Sequence, residues 1–192
     1  MDTSFVTIVS GLPRSGTSMM MQVIEAGGIS VLCDHIRSRD DDNPKGYYEF
    51  EPVKKTKADP SWVPGARGKV VKVIYSLLYD LPIDFQYRVV FMERALSEVL
   101  ASQKKMLERR GRQGGGVPEE KMAALFCSQL AAFEHWIRNR KNFSMLRVDY
   151  AGMIASPEAA VDRVNAFLGG GLNRDAMISA VDSKLYRNRR GA

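Results

Sequence analysis

Apolar residues fall in short runs that alternate with stretches of helical spacing. Phe5-Val-Thr-Ile-Val9 is the first run, rich in β-branched side chains, and predicts a buried strand. A loop containing glycine and proline follows at once. Ser18 to Ala26 then has the pattern of a helix, which Gly27-Gly28 closes, and Ile29 to Cys33 predicts a second short strand. Val70-Val-Lys-Val-Ile-Tyr75 and Arg88-Val-Val-Phe-Met-Glu93 are near-continuous apolar runs of the kind a parallel sheet buries on both faces.

Ala95 to Arg109 predicts a helix, with Leu96, Val99, Leu100 and Met106 at helical spacings. Pro118-Glu-Glu120 starts another, in which Met122, Leu125, Phe126, Leu130, Phe133, Trp136 and Ile137 trace one apolar stripe expected to face the core. Phe143 to Asp149 predicts a last strand, Pro157 to Leu168 a helix closed by Gly169-Gly-Gly171, and Asn173 to Val181 a final short helix. Strands alternating with helices predict a three-layer α/β/α domain around a mostly parallel central sheet. Such sheets bind ligands beyond the carboxyl ends of their strands.

One stretch breaks the alternation. Residues 34–68 are polar and punctuated by Pro44, Pro52, Pro60 and Pro64, which predicts loop with short helical pieces. An excursion of that length inside a compact domain is usually functional. Residues 110–117, with Gly111 and Gly114-Gly-Gly116, predict a surface loop.

Composition narrows the class. The 192 residues, 45% hydrophobic and 26% charged, suit one domain with a real core. No apolar run approaches a membrane span or a signal peptide, so a cytoplasmic location is expected. Cys33 and Cys127 have neither metal-site nor disulfide-framework spacing and are expected to be buried apolar fillers. The net charge of +6 is compatible with an anionic ligand. Basic residues between Lys104 and Arg112, and at Arg187, Arg189 and Arg190, lack the interleaved aromatic platform of a nucleic-acid binder.

The chemistry begins at Gly11-Leu-Pro-Arg-Ser-Gly-Thr-Ser18, between the first strand and the first helix. There a glycine loop can wrap phosphate oxygens with backbone N–H groups at a positive helix end. Gly11, Gly16 and Ser18 match the pattern GxxxxGK[ST], but Thr17 stands where a nucleotide triphosphatase has its lysine. Arg14 is the one cation inside the loop, and Ser15, Thr17 and Ser18 add hydroxyl donors. A kinase would need that lysine and a strand-end carboxylate for Mg²⁺, neither of which the loop supplies clearly. A kinase and a non-catalytic nucleotide-binding module both remain open on the residues alone.

Pro13-Arg-Ser-Gly-Thr-Ser18 resembles the first signature of the sulfotransferases that use 3′-phosphoadenosine-5′-phosphosulfate (PAPS), in the arginine version of the bacterial and Golgi-type branches. The resemblance implies a P-loop-like fold and assigns Pro13, Arg14, Ser15, Gly16, Thr17 and Ser18 to the 5′-phosphosulfate. The family's second signature, a strand-ending arginine with a serine eight positions later, is similar to Arg94 and Ser102, which would then hold the 3′-phosphate. Leu146-Arg-Val-Asp-Tyr150 and Ser156-Pro157 to Phe167-Leu-Gly169 resemble its late strand and helix. The implied reaction moves a sulfuryl group to a hydroxyl or amine of a small-molecule, carbohydrate or peptide acceptor, with no metal expected.

Cytosolic members of that family carry a Lys-Thr-His run on a strand. Lys72 matches the lysine, whereas Ile74 stands at the histidine. Other branches of that family use a glutamate, and Asn43-Pro-Lys-Gly-Tyr-Tyr-Glu49 resembles a segment of its bacterial members, which implies Glu49 as the base, with Glu51 and His35 in reserve. Neighbouring aromatic rings would desolvate such a carboxylate and strengthen it as a base. Arg14, Lys72 and Glu49 are thus the catalytic candidates, and Tyr47, Tyr48 and Trp62 are candidate acceptor-pocket walls. The family's late Arg-Lys-Gly motif is absent, and Arg187, Arg189 and Arg190 are the residues that could cover the nucleotide instead.

Overall fold

A computed structural model describes residues 4–34, 36, 46–109, 111 and 117–182. His35, the Asp40 to Lys45 stretch, Arg187, Arg189 and Arg190 lie outside the described residues, as do Gly114 to Gly116.

The first apolar run becomes β1, Phe5–Gly11, buried along its whole length. Burial on both faces is possible because it is an inner strand, with β2 (Val70–Lys72) on one side and β3 (Gln86–Glu93) on the other. Beyond β3 lies β4, Phe143–Asp149, and every pairing is parallel. Ile8 sits between Val71 and Val89, and Val89 in turn faces Met145. The parallel register brings Gly11, Lys72, Glu93 and Asp149 to one edge of the sheet, the carboxyl edge.

Among the described residues six helices flank the sheet: α1 (Thr17–Ala26), α2 (Leu96–Arg109), α3 (Glu119–Arg138), α4 (Tyr150–Ala155), α5 (Pro157–Phe167) and α6 (Arg174–Ser179). Alternate strand residues face opposite layers. Val6, Ile8, Val89 and Phe91 pack with Val99 of α2 and Phe133 and Ile137 of α3. Val9, Val90, Met92 and Val148 pack with Met20 and Ile24 of α1, Val161 and Val164 of α5 and Met177 of α6. The result is the expected three-layer α/β/α arrangement.

The sequence expectations depart from the structure in four places. Ile29 to Cys33 is not a strand but one parallel bridge, Val31 to Val70, with Leu32 N donating to Val70 O at 2.8 Å. Its partner is too short for more: Val73 N donates the last bond of the β1–β2 ladder, to Val9 O at 3.0 Å, and the chain then enters a 3₁₀ turn over Tyr75–Asp80. For the same reason the run expected to extend to Tyr75 ends as a strand at Lys72. Along α3 only Phe133 and Ile137 are buried, whereas Leu125 is 50% exposed. The helix, 20 residues and about 30 Å long, therefore meets the core only toward its C-terminal end. Finally, neither cysteine is a buried filler: Cys127 lies in the less covered part of α3 and is exposed, while Cys33 is half-buried.

Candidate functional site

The connection from β1 to α1 lies where the chain first steps to β2 and later crosses back to β3. Such a switch point opens a crevice at the carboxyl edge. Gly11 leaves the strand at φ +145°, and a Cβ there would stand 2.6 Å from both Met92 O and Ser15 Oγ. Gly16, the N-cap of α1, has φ +99°, and a Cβ on it would collide with the Tyr150 ring. Glycine is therefore required at both ends of the loop. Arg14 also adopts positive φ, +75°, which is strained for a residue with a side chain.

The loop is shaped for an anion. Among the described residues no side chain caps the N-terminus of α1, and its first turn carries no acidic residue, so the positive end of the helix at the crevice suits an anion. Ser15 Oγ is buried with no hydrogen-bond partner among the described residues. A buried hydroxyl in that state beside a glycine cradle fits a ligand oxygen. These features suit the oxygens of a phosphate or sulfate group.

The second pair of candidates meets this loop directly. Arg14 Nε donates to Ser102 Oγ at 3.0 Å, across 88 positions of sequence. Arg94 Nη1 donates to the carbonyl of Arg14 at 3.2 Å, and its Nε donates to Glu98 Oε2 at 2.9 Å. The Arg94 guanidinium also lies 4.7 Å from the centre of the Tyr150 ring, the ring that closes over Gly16. Arg94 and Glu98 are 7% and 6% exposed, so this is a buried ion pair one helical turn long. The exposed Pro13 adds its carbonyl as acceptor for Gln103 Nε2 at 3.4 Å. Arg14, Arg94 and Ser102 thus form one connected cluster. Glu98 and Tyr150 were missed in the sequence reading, although the four-residue spacing of Arg94 and Glu98 carried a signal for the pair.

The other candidates gather at the β2 edge. Lys72 pairs in register with Val9, two positions before the loop. Its Nζ stands 6.0 Å from the centre of the buried Tyr47 ring, at the outer limit of a cation–π contact. Successive side chains then diverge. Tyr48 donates its hydroxyl to Glu25 of α1 at 2.7 Å, Glu49 lies 3.9 Å from Lys54 Nζ, and Phe50 meets the Trp62 ring edge-on at 6.0 Å. Trp62 is buried in the core, with Nε1 donating to Thr56 Oγ1 at 3.0 Å. Ile74, at the histidine's place, is 40% exposed.

Asp34 closes the neck of this excursion. Its amide donates to Glu49 O at 3.1 Å, and its carboxylate accepts the amides of Glu51 at 2.6 Å and Ile36 at 3.1 Å. Burial pushes the Asp34 carboxyl up, but these amide hydrogen bonds and the Lys54 charge outweigh it and hold the group below the usual carboxylate range. Glu51 also pairs with Lys54.

A cavity of about 270 Å³ opens beside the loop between the ends of β3 and β4. Arg147 crosses its mouth, with Nη1 2.8 Å from Glu93 and Nη2 2.7 Å from Glu134 of α3. Burial works against the Arg147 charge, but the two carboxylates prevail and raise its pKa.

No family model matches the chain, and no curated protein matches it in sequence. Among solved structures it is similar to mouse sulfotransferase SULT7A1 complexed with PAP, at TM-score 0.59 and 17% identity over 98% of this chain and 70% of that one. It is also similar to retinol dehydratase in complex with androsterone and inactive cofactor PAP, at TM-score 0.52 and 16% identity over 91% of this chain. The chain spans 62% of the dehydratase, less than two thirds of its length. A sulfotransferase domain from the Synechococcus PCC 7002 olefin synthase follows at TM-score 0.51 and 14% identity, over 95% of this chain and 78% of that one. The fold of this chain is therefore sulfotransferase-like, a P-loop-like α/β/α fold around an all-parallel sheet. Among the described residues no helix is long and apolar enough to cross a membrane.

Proposed function

We propose that this protein is a PAPS-dependent sulfotransferase that moves a sulfuryl group to a hydroxyl or amine acceptor and releases 3′,5′-adenosine bisphosphate. One observation carries the reading: the Arg14 to Ser102 hydrogen bond, 3.0 Å, which joins the segment suited to a 5′-phosphate to the segment suited to a 3′-phosphate. A nucleotide phosphorylated at both ends needs two anion sites within one molecule's reach. Similarity to PAP-bound sulfotransferases supports the same reading.

PAPS, when bound, supplies an activated sulfuryl group on the 5′-phosphate. Within the proposal, Arg14 and the amides at the start of α1 hold that phosphate and offset the charge that grows on it as its bond to sulfur breaks. Arg94 and Ser102 hold the 3′-phosphate. Lys72, on the strand beside β1, places a second cation at the carboxyl edge. Glu49 takes the acceptor proton on a carboxylate oxygen as the new bond to sulfur forms, leaving the electron pair of the broken bond on the phosphate. These roles fall to Arg, Lys, Ser and Glu side chains and to backbone amides, and the proposed steps invoke no metal ion.

Calorimetric titration with 3′,5′-adenosine bisphosphate in a metal-free buffer tests the proposal. Binding at micromolar level or tighter, about −8 kcal/mol, is expected. Preference for ATP with Mg²⁺ over the bisphosphate would transfer the chain to a kinase reading.

A further inference from the structure

Glu98 is a buried carboxylate inside the nucleotide cluster, yet it has so far been given no part in the proposed reaction. It stands in the first turn of α2, four positions before Ser102, and both residues are buried. Residues at that spacing share one helix face. Each of the two takes the Nε hydrogen of one arginine: Glu98 Oε2 that of Arg94 at 2.9 Å, and Ser102 Oγ that of Arg14 at 3.0 Å. Arg94 is thereby gripped on three sides, by Glu98 at Nε, by the Arg14 carbonyl at Nη1 and by the Tyr150 ring against the face of the guanidinium. A guanidinium is a rigid plane, so three such contacts fix the direction of all its N–H groups. Charge balance alone does not account for Glu98. A carboxylate beside an anion site repels the anion, and an amide could accept the same hydrogen bond without that repulsion.

We infer that Glu98 is the positioning residue of the 3′-phosphate site: by accepting from Nε it aims Arg94, and so sets the preference for nucleotides that carry a 3′-phosphate. The identity of that phosphate rests on the sulfotransferase reading. The reach of the Glu98 side chain, more than its charge, is what the role requires, because the aim of Arg94 depends on where the accepting oxygen stands. A purely structural role is the competing account, since a carboxylate in the first turn favours a helix and offsets a buried arginine. Such a role would affect every nucleotide alike, whereas aiming Arg94 affects only one that offers a 3′-phosphate.

Calorimetric titration with 3′,5′-adenosine bisphosphate and with 5′-AMP, which differ only in the 3′-phosphate, tests this through the ratio of the two dissociation constants. The parent protein should favour the bisphosphate by about a hundredfold. Glu98→Gln keeps the reach and an accepting oxygen but not the charge, and its ratio should stay at about half the parent value or above. Glu98→Asp keeps the charge but falls one methylene short, and should lower the ratio by about fivefold. Glu98→Leu keeps neither and should lower it by about tenfold or more. Should the leucine variant fail to fold for want of a partner for Arg94, the glutamine and aspartate variants, which both leave one, decide the matter. A parent ratio preserved in Glu98→Asp, or a loss in Glu98→Gln as large as in Glu98→Asp, overturns the positioning role. Equal weakening of both nucleotides, with the ratio unchanged, overturns it in favour of the structural role. A parent protein that binds the two nucleotides equally has no 3′-phosphate site, which sinks the sulfotransferase reading itself before any variant is compared.

Discussion

At the junction of β1 and β3 the phosphate loop is held from several directions: Ser102 on the Arg14 side chain, Arg94 on the Arg14 carbonyl and the Tyr150 ring against Gly16. At the β2 edge the excursion that carries Glu49 is closed chiefly by hydrogen bonds to one aspartate, Asp34, and its chemistry rests on exposed or half-buried groups. The difference follows from what each region is proposed to hold. A nucleotide has fixed charges at fixed spacing, so a rigid cradle arranged before binding loses little entropy when the ligand arrives. An acceptor segment is supported by local hydrogen bonds, and its composition can vary without disturbing the core.

Four changes would sharpen or break that contrast. The largest effect is expected for Gly16→Ala, where positive φ and collision with Tyr150 combine. Stability should fall by about 3 kcal/mol and bisphosphate binding should vanish, checked by denaturant unfolding and calorimetry. Wild-type binding in this variant would mean the cradle is less rigid than described. Next, Glu49→Gln should lower turnover by about a hundredfold while sparing bisphosphate affinity, measured in a sulfuryl-transfer assay. Unchanged turnover would remove Glu49 as the base.

Ser102→Ala should weaken bisphosphate binding by about tenfold, through both the lost phosphate donor and the released Arg14 side chain. An unaltered titration would separate the two phosphate segments. The smallest effect is expected at the neck. Asp34→Asn should cost about 1 kcal/mol, a fall in Tm of about 2–4 °C, with nucleotide affinity unchanged. Since the folded chain holds the Asp34 carboxyl below its ordinary value, its ionised form stabilises the neck at neutral pH. That contribution is lost as pH falls from the ordinary aspartate range through the lower folded value, so the variant should show a shallower acid limb in a pH series of melts. An equal acid limb in both proteins would place the acid sensitivity elsewhere.

β1 and β3 could be read in the sequence because strands buried on both faces need unbroken apolar runs. The glycine loop was equally legible, since its order of strand, Gly11, Arg14, Gly16 and helix is local. The Ile29 to Cys33 run was misleading: a strand needs a partner, and β2, far away in sequence, offers it one bridge before the chain enters its 3₁₀ turn. The α3 stripe was legible as a helix face but not as a half-covered one, because its cover depends on where the sheet ends.

By itself, then, the sequence determined the order of elements, the glycines at positive φ and the chemical types available to meet an anion, all of them consequences of neighbours within a few residues. Tertiary structure alone decided that Ser102 reaches Arg14 across 88 positions, that Glu98 is buried against Arg94, and that Glu93, Glu134 and Arg147 converge at one cavity mouth. Parallel strands connected by crossovers bring distant segments to a common carboxyl edge, and the spacing within each segment does not specify which side chains meet there.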